Sequence, residues 1–106
     1  MRMLFVYGKN RRRSPTAEVL FAEIDGIEVL SAGTSPEAEC PVSSDLLEWA
    51  DRIFVMDKKQ QGQLRVRFAE FLKNKRMVCL NIPDRFEYMQ PELQVALRTK
   101  VLPLLR

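Results

Sequence analysis

The chain has 106 residues, 46% of them hydrophobic and 29% charged, with a net charge of +3. This is the make-up of one small globular domain spanning 1–106, and the charge alone is too weak to imply nucleic acid. There is no histidine, which excludes histidine-based triads, metal sites and general bases, and the two cysteines, Cys40 and Cys79, fit neither a CxxC motif nor a disulfide framework.

In chain order, Met3-Leu4-Phe5-Val6-Tyr7 is a continuous apolar run, as in a strand buried on both faces. It is far too short for a membrane span or a signal core, so a cytoplasmic chain with no membrane partner is expected. Ser14 reads as a helix N-cap with Pro15 at the first helical position. Ala17, Leu20, Phe21 and Ile24 follow at helical spacing. Gly26 ends that helix, Ile27-Glu28-Val29-Leu30 reads as a second strand, and the Ser-, Gly-, Thr- and Pro-rich stretch from Ser31 to Pro41 reads as loop. Ser43 caps a helix to about Ala50, with Asp45 in its first turn.

Arg52 to Met56 is the third strand. Asp57 and Gln60 have the spacing of a capping box, opening a helical stretch with a break expected near Gly62 and with Leu64, Phe68, Phe71 and Leu72 on one face. Met77 to Leu80 is the fourth strand, with Cys79 in the core, 81–90 is loop, and Pro91 to about Leu104 is the last helix, with Leu93, Ala96, Leu97, Val101 and Leu104 inward. Trp49 and the methionines read as core or helix-face residues. Strands alternating with helices imply an α/β fold: three αβα layers around a four-stranded parallel sheet with right-handed crossovers. Ligands of such sheets bind at the carboxyl ends of the strands.

The segment Tyr7-Gly8-Lys9-Asn10-Arg11-Arg12-Arg13-Ser14-Pro15 lies at one of those ends. Cations beside a helix N-terminus work against the helix dipole, and a bound phosphate or sulfate resolves the conflict, because loop amides, dipole and guanidinium groups all favour it. Gly8 allows a tight turn and a close approach of the backbone to a ligand. A basic run is often only a solvated surface. Here the setting between a buried strand and a helix start favours an anion site. Asp84, in Pro83-Asp84, is on its own an ordinary turn residue.

Four blocks in order resemble the low-molecular-weight protein tyrosine phosphatases. Arg13-Ser14-Pro15-Thr16-Ala17-Glu18, with Asn10 ahead of it, is similar to the second half of the signature, in which a cysteine is followed by five residues and Arg-Ser. Ser31-Ala32-Gly33-Thr34 resembles the motif after strand two, Ala50 to Asp57 the third-strand block, and Pro83-Asp84-Arg85-Phe86 the loop of the catalytic acid. The resemblance implies Arg13 as the phosphate-stabilising arginine, Ser14 as the hydroxyl that supports the nucleophile, and Asp84 as the acid. Two departures stand out. The nucleophile position holds Tyr7, and Arg85 stands where the family commonly has proline.

Family chemistry forms a phosphocysteine. With Tyr7, Arg13 and Asp84 at the catalytic positions, and Gly8, Lys9, Asn10, Arg11, Arg12, Arg13 and Ser14 forming the phosphate-binding loop, the electrostatic part of that chemistry is retained and the covalent part is missing. A phenol has a pKa of about 10 and its oxygen lies farther from the backbone than a cysteine sulfur. Pointed inward, it occupies the phosphate's place. Pointed outward, it leaves the pocket without a nucleophile. The expected protein is therefore a monomeric, catalytically impaired phosphatase homologue that binds phosphate, sulfate or a phosphorylated protein, with neither metal nor cofactor. An active phosphatase with an unusual nucleophile is the first alternative. A nucleic-acid-binding module using Arg2, Lys9, Arg11, Arg12, Arg65 and Arg67 is the second, and ranks lower because the basic run is short and stands without a binding motif.

Overall fold

The computed structural model describes residues 1–8, 13–83 and 85–105, residue 13 in its backbone only. Its elements are β1 (Arg2–Tyr7), α1 (Arg13–Phe21), β2 (Glu28–Gly33), α2 (Ser44–Trp49), β3 (Arg52–Val55), α3 (Lys58–Arg67), the single turn α4 (Ala69–Leu72), β4 (Arg76–Cys79), α5 (Pro91–Val101) and a closing 3₁₀ turn (Leu102–Leu105). The strands form one parallel four-stranded sheet in the order β2-β1-β3-β4. The αβα architecture expected from the alternation is the one observed.

The apolar run of β1 feeds two cores, because alternate side chains of a strand point to opposite faces. Met3 and Phe5 join Ala17, Phe21, Phe54, Leu93, Leu97 and Val101 under α1 and α5. Phe5 stacks between Phe21 at 5.7 Å and Phe54 at 5.0 Å, centroid to centroid. Leu4 and Val6 join Ala32, Leu47, Ile53, Val55 and Leu64 on the other face, where Trp49, Phe68, Phe71, Leu72, Met77 and Cys79 pack at the margin. Met3 and Met56 are fully buried.

Several boundaries differ from the sequence reading, each for a physical reason. Strand β2 continues through Ser31, Ala32 and Gly33, which pair with Phe5, Val6 and Tyr7. Their small polar composition reads as loop, but pairing and burial against a central strand override weak strand propensity. Helix α1 already includes Ser14, so Ser14 is not the cap. Pro15 still lies in the first turn, where a missing N–H costs nothing. Helix α3 runs unbroken through Gly62. It ends instead at Phe68, whose φ of −130° and ψ of 31° leave the helical region. The Asp57–Gln60 capping box forms in full, with Asp57 Oδ1 accepting from Lys59 and Gln60 N–H at 3.0 and 3.2 Å. Ser43 caps α2 as expected, its Oγ accepting from Leu46 N–H at 3.3 Å.

Candidate functional site

The site is built outward from the end of β1. Tyr7 is the last residue of the strand and is only 2% exposed, so its ring does not project into solvent. It lies against Gly33, its register partner on β2. A Cβ placed on Gly33 would come within 2.6 Å of Tyr7 Cε2, 2.5 Å of Ala38 Cβ and 3.0 Å of the Gly8 carbonyl oxygen. Glycine at 33 is therefore what makes room for the phenol ring. The following loop is stitched to the same place. Thr34 N–H donates to the Tyr7 carbonyl at 2.9 Å, Gly33 N–H donates to Cys40 C=O, and Val42 N–H donates to Gly33 C=O, both at 2.8 Å. Arg67 Nη1 from the end of α3 donates to Thr34 C=O at 2.7 Å.

The first turn of α1 lies against β2, two residues before Gly33. Ser14 is fully buried, its carbonyl accepts from Ser31 Oγ at 3.1 Å, and its own Oγ has no hydrogen-bond partner among the described residues. A buried hydroxyl without a partner is costly, and an absent ligand is one ordinary reason for it. The first turn of α1 contains no acidic residue, so no side chain of the helix itself offsets the positive end of its dipole.

Gln60 is the site residue that the sequence reading missed. It is 4% exposed, and its Oε1 accepts from Asp57 N–H at 3.0 Å as the capping box requires. Its other end faces the loop, since Nε2 lies 3.1 Å from where a Cβ on Gly8 would be. The capping signature identified one half of this amide. Nothing local in the sequence signals that the second half meets Gly8, far upstream in the chain.

The loop after β4 is anchored on the same helix start. Met89 N–H donates to Thr16 Oγ1 at 3.0 Å, and Thr16 is fully buried. Met89 adopts a left-handed φ of 60°, and its carbonyl accepts from Gln94 Nε2 at 2.6 Å. Ile82 and Phe86 are buried in the α1/α5 core, and Ile82 N–H donates to Met56 C=O at 2.9 Å. Arg85 is exposed, its guanidinium 5.2 Å above the Phe86 ring.

The structure thus brings Tyr7, Gly8, Gly33 and Gln60 together, sets Ser14 against Ser31 of the strand that carries Gly33, and ties Thr16 to Met89. Lys9, Asn10, Arg11, Arg12 and Asp84 lie outside the described residues, as does the side chain of Arg13, which opens α1. Cys40 is exposed in the 34–42 loop. Cys79 is half-buried at the margin of the second core rather than inside it, its Sγ donating to Asn81 Oδ1 at 3.3 Å. Among the described residues no helix is long and apolar enough to cross a membrane.

This arrangement, a parallel 2-1-3-4 sheet with helices on both faces, has the fold of the low-molecular-weight protein tyrosine phosphatases. A Cys-to-Ser variant of the arginine phosphatase YwlE, with a phosphorylated active-site serine, superposes with a TM-score of 0.76 at 23% identity, covering 100% of this chain and 97% of that one. The low-molecular-weight protein tyrosine phosphatase SP-PTP of Streptococcus pyogenes gives 0.78 at 16%, covering 97% and 92%. The tyrosine phosphatase Wzb of Escherichia coli K30, in complex with phosphate, gives 0.77 at 17%, covering 97% and 94%. No family model and no curated protein sequence matches the chain.

Proposed function

We propose that this chain binds phosphate, sulfate or a phosphorylated protein at the turn from β1 into α1, and that it does not run the phosphocysteine reaction. The reading places the protein in the cytoplasm and gives it no cofactor. The observation that carries it is the burial of Tyr7, whose ring is wedged beside Gly33 and Ala38. A nucleophile must reach to about 3–3.5 Å from phosphorus along the line of attack, and a ring held in this way is not free to swing there. A buried Ser14 Oγ with no partner among the described residues, and a first turn of α1 with no acidic residue, support the binding half of the reading. The cationic run from Lys9 to Arg13 supports it as well. Wzb, with this fold, was solved holding phosphate.

Isothermal calorimetry with inorganic phosphate, alongside an aryl phosphate assay, tests the reading. Millimolar or tighter binding that Arg13→Ala removes, without turnover, is the expected result. A folded chain that fails to bind at millimolar phosphate sinks it.

One observation favours a second reading. The YwlE variant carries a phosphoryl group on its active-site serine, so on this fold a hydroxyl at the site can carry phosphate. For this chain, the Tyr7 oxygen, its phenol proton lost to water, would bond to phosphorus as the substrate's P–O bond breaks, with the Asp84 carboxyl protonating the departing phenolate. Mass spectrometry after incubation with aryl phosphate distinguishes the two: phosphate on the Tyr7 peptide of the native protein, absent from Tyr7→Phe, selects the second reading.

A further inference from the structure

Helix α3 has an inner face and an outer face of different character. Its inner face buries Gln60 and Leu64. On the outer face, Lys58, Lys59, Gly62, Gln63, Val66 and Arg67 line a shallow groove of about 430 Å³. The helix contains no acidic residue, and Asp57 at its start is engaged in the cap. The charged residues that line the groove are therefore all cations.

Two residues on its floor are poor choices for the fold alone. Val66 is 85% exposed, more than any other large hydrophobic residue described. Gly62 lies in the helix interior, has no positive φ, and a Cβ there would meet nothing within 4 Å. Alanine would fit at 62 without a clash and propagate the helix better, so nothing inside the molecule asks for glycine. Residues 62 and 66 are one turn apart and share a stripe of the helix surface. Gly62 leaves a notch beside the Val66 methyls, with Lys58 and Lys59 on one side and Arg67 beyond.

We infer that this groove docks an acidic protein segment carrying an aliphatic side chain. The aliphatic group packs into the Gly62 notch against Val66, and the flanking carboxylates face Lys58 and Lys59. Charge complementarity commits the partner to acid. The apolar floor distinguishes a peptide from a nucleic acid, because single strands are held by exposed aromatic rings on which bases stack. The ring nearest this face, Phe68, is half-buried beneath the Arg67 guanidinium at 5.1 Å. Lys58, Gly62 and Val66 lie on a different stripe of α3 from Gln60, which meets Gly8.

The test is an NMR titration of the isotope-labelled full chain with a synthetic peptide, EDELVDEE. A peptide with lysine in place of every acid and a short oligodeoxythymidine serve as the other two probes. The acidic peptide is expected to move the amides of 58–67, with affinity falling as salt rises. Val66→Glu should weaken binding at least about tenfold, since it removes the apolar seat and adds a like charge. Gly62→Ala separates docking from folding. It should raise Tm by roughly 4–8 °C through helix propensity while weakening the peptide. Absent shifts at millimolar peptide, shifts confined to other elements, or a Val66→Glu protein that binds undiminished would each overturn the proposal. So would an oligonucleotide that moves the same amides as strongly as the acidic peptide.

Discussion

At the scale of single residues the protein turns on Tyr7 and Gly33. Replacing Tyr7 by cysteine restores the nucleophile that the resemblance implies, and aryl phosphatase activity should rise above that of the native chain. The same change removes a buried ring, so a stability loss of roughly 2–4 kcal/mol should accompany the gain, measurable as a lower urea midpoint. Activity that fails to rise in a still-folded Tyr7→Cys protein would place the defect elsewhere, with Arg85 first in line. Gly33→Ala is the complementary test. Its new methyl meets Tyr7 Cε2 and Ala38 Cβ well inside contact distance, so it should cost about 1–3 kcal/mol, and the cost should shrink in a Tyr7→Cys background because the ring is gone. The identity of both positions was legible in the sequence, and so was the oddity of a phenol at the end of β1. That the ring is accommodated by the glycine of the next strand was not legible, because it depends on the β1–β2 register.

Among the elements, the caps at Ser43 and Asp57 were legible, since each acts within three residues of itself and needs no tertiary partner, whereas Ser14 lies inside its helix rather than capping it. The end of β2 and the break at Phe68 were not legible. Ser31, Ala32 and Gly33 become strand only because β1 lies beside them, and Gly62 is tolerated in mid-helix because the capping box and the burial of Leu64 offset its cost of about 1 kcal/mol. The contact between Thr16 and Met89 belongs to this scale, because it ties the first turn of α1 to the loop containing Asp84. Thr16→Val keeps the shape and deletes the acceptor, leaving the Met89 amide short of its partner at a cost of about 1–3 kcal/mol. Hydrogen exchange should show faster exchange at Met89 and its neighbours, with the β1 and β3 amides unchanged. Uniform loss of protection across the sheet would mean that the contact supports the whole fold rather than the loop.

For the whole molecule, the order β2-β1-β3-β4 determines where a ligand can sit. From β1 the chain moves outward to β2, then crosses to the other side of β1 to lay down β3, so the strand order reverses between β1 and β3. Such a switch point opens a crevice at the carboxyl ends of the two strands. Gly8 follows one of them, and Gln60 comes from the helix that follows the other. The crevice draws on elements from both cores: α1 packs on one face of the sheet, and α3 on the other. An anion bound there contacts groups held by both layers and none that persist in the unfolded chain, so it should stabilise the fold as a unit. Phosphate at ten times its dissociation constant should add roughly 1.4 kcal/mol, which for a chain of this size raises Tm by about 5–10 °C. Sodium chloride at matched ionic strength screens the same cations without filling the site, and should produce a much smaller shift. Arg13→Ala and Ser14→Ala should each reduce the phosphate-specific part. An equal rise with chloride, or a phosphate response that survives both substitutions, would assign the effect to general screening and remove the crevice from the account.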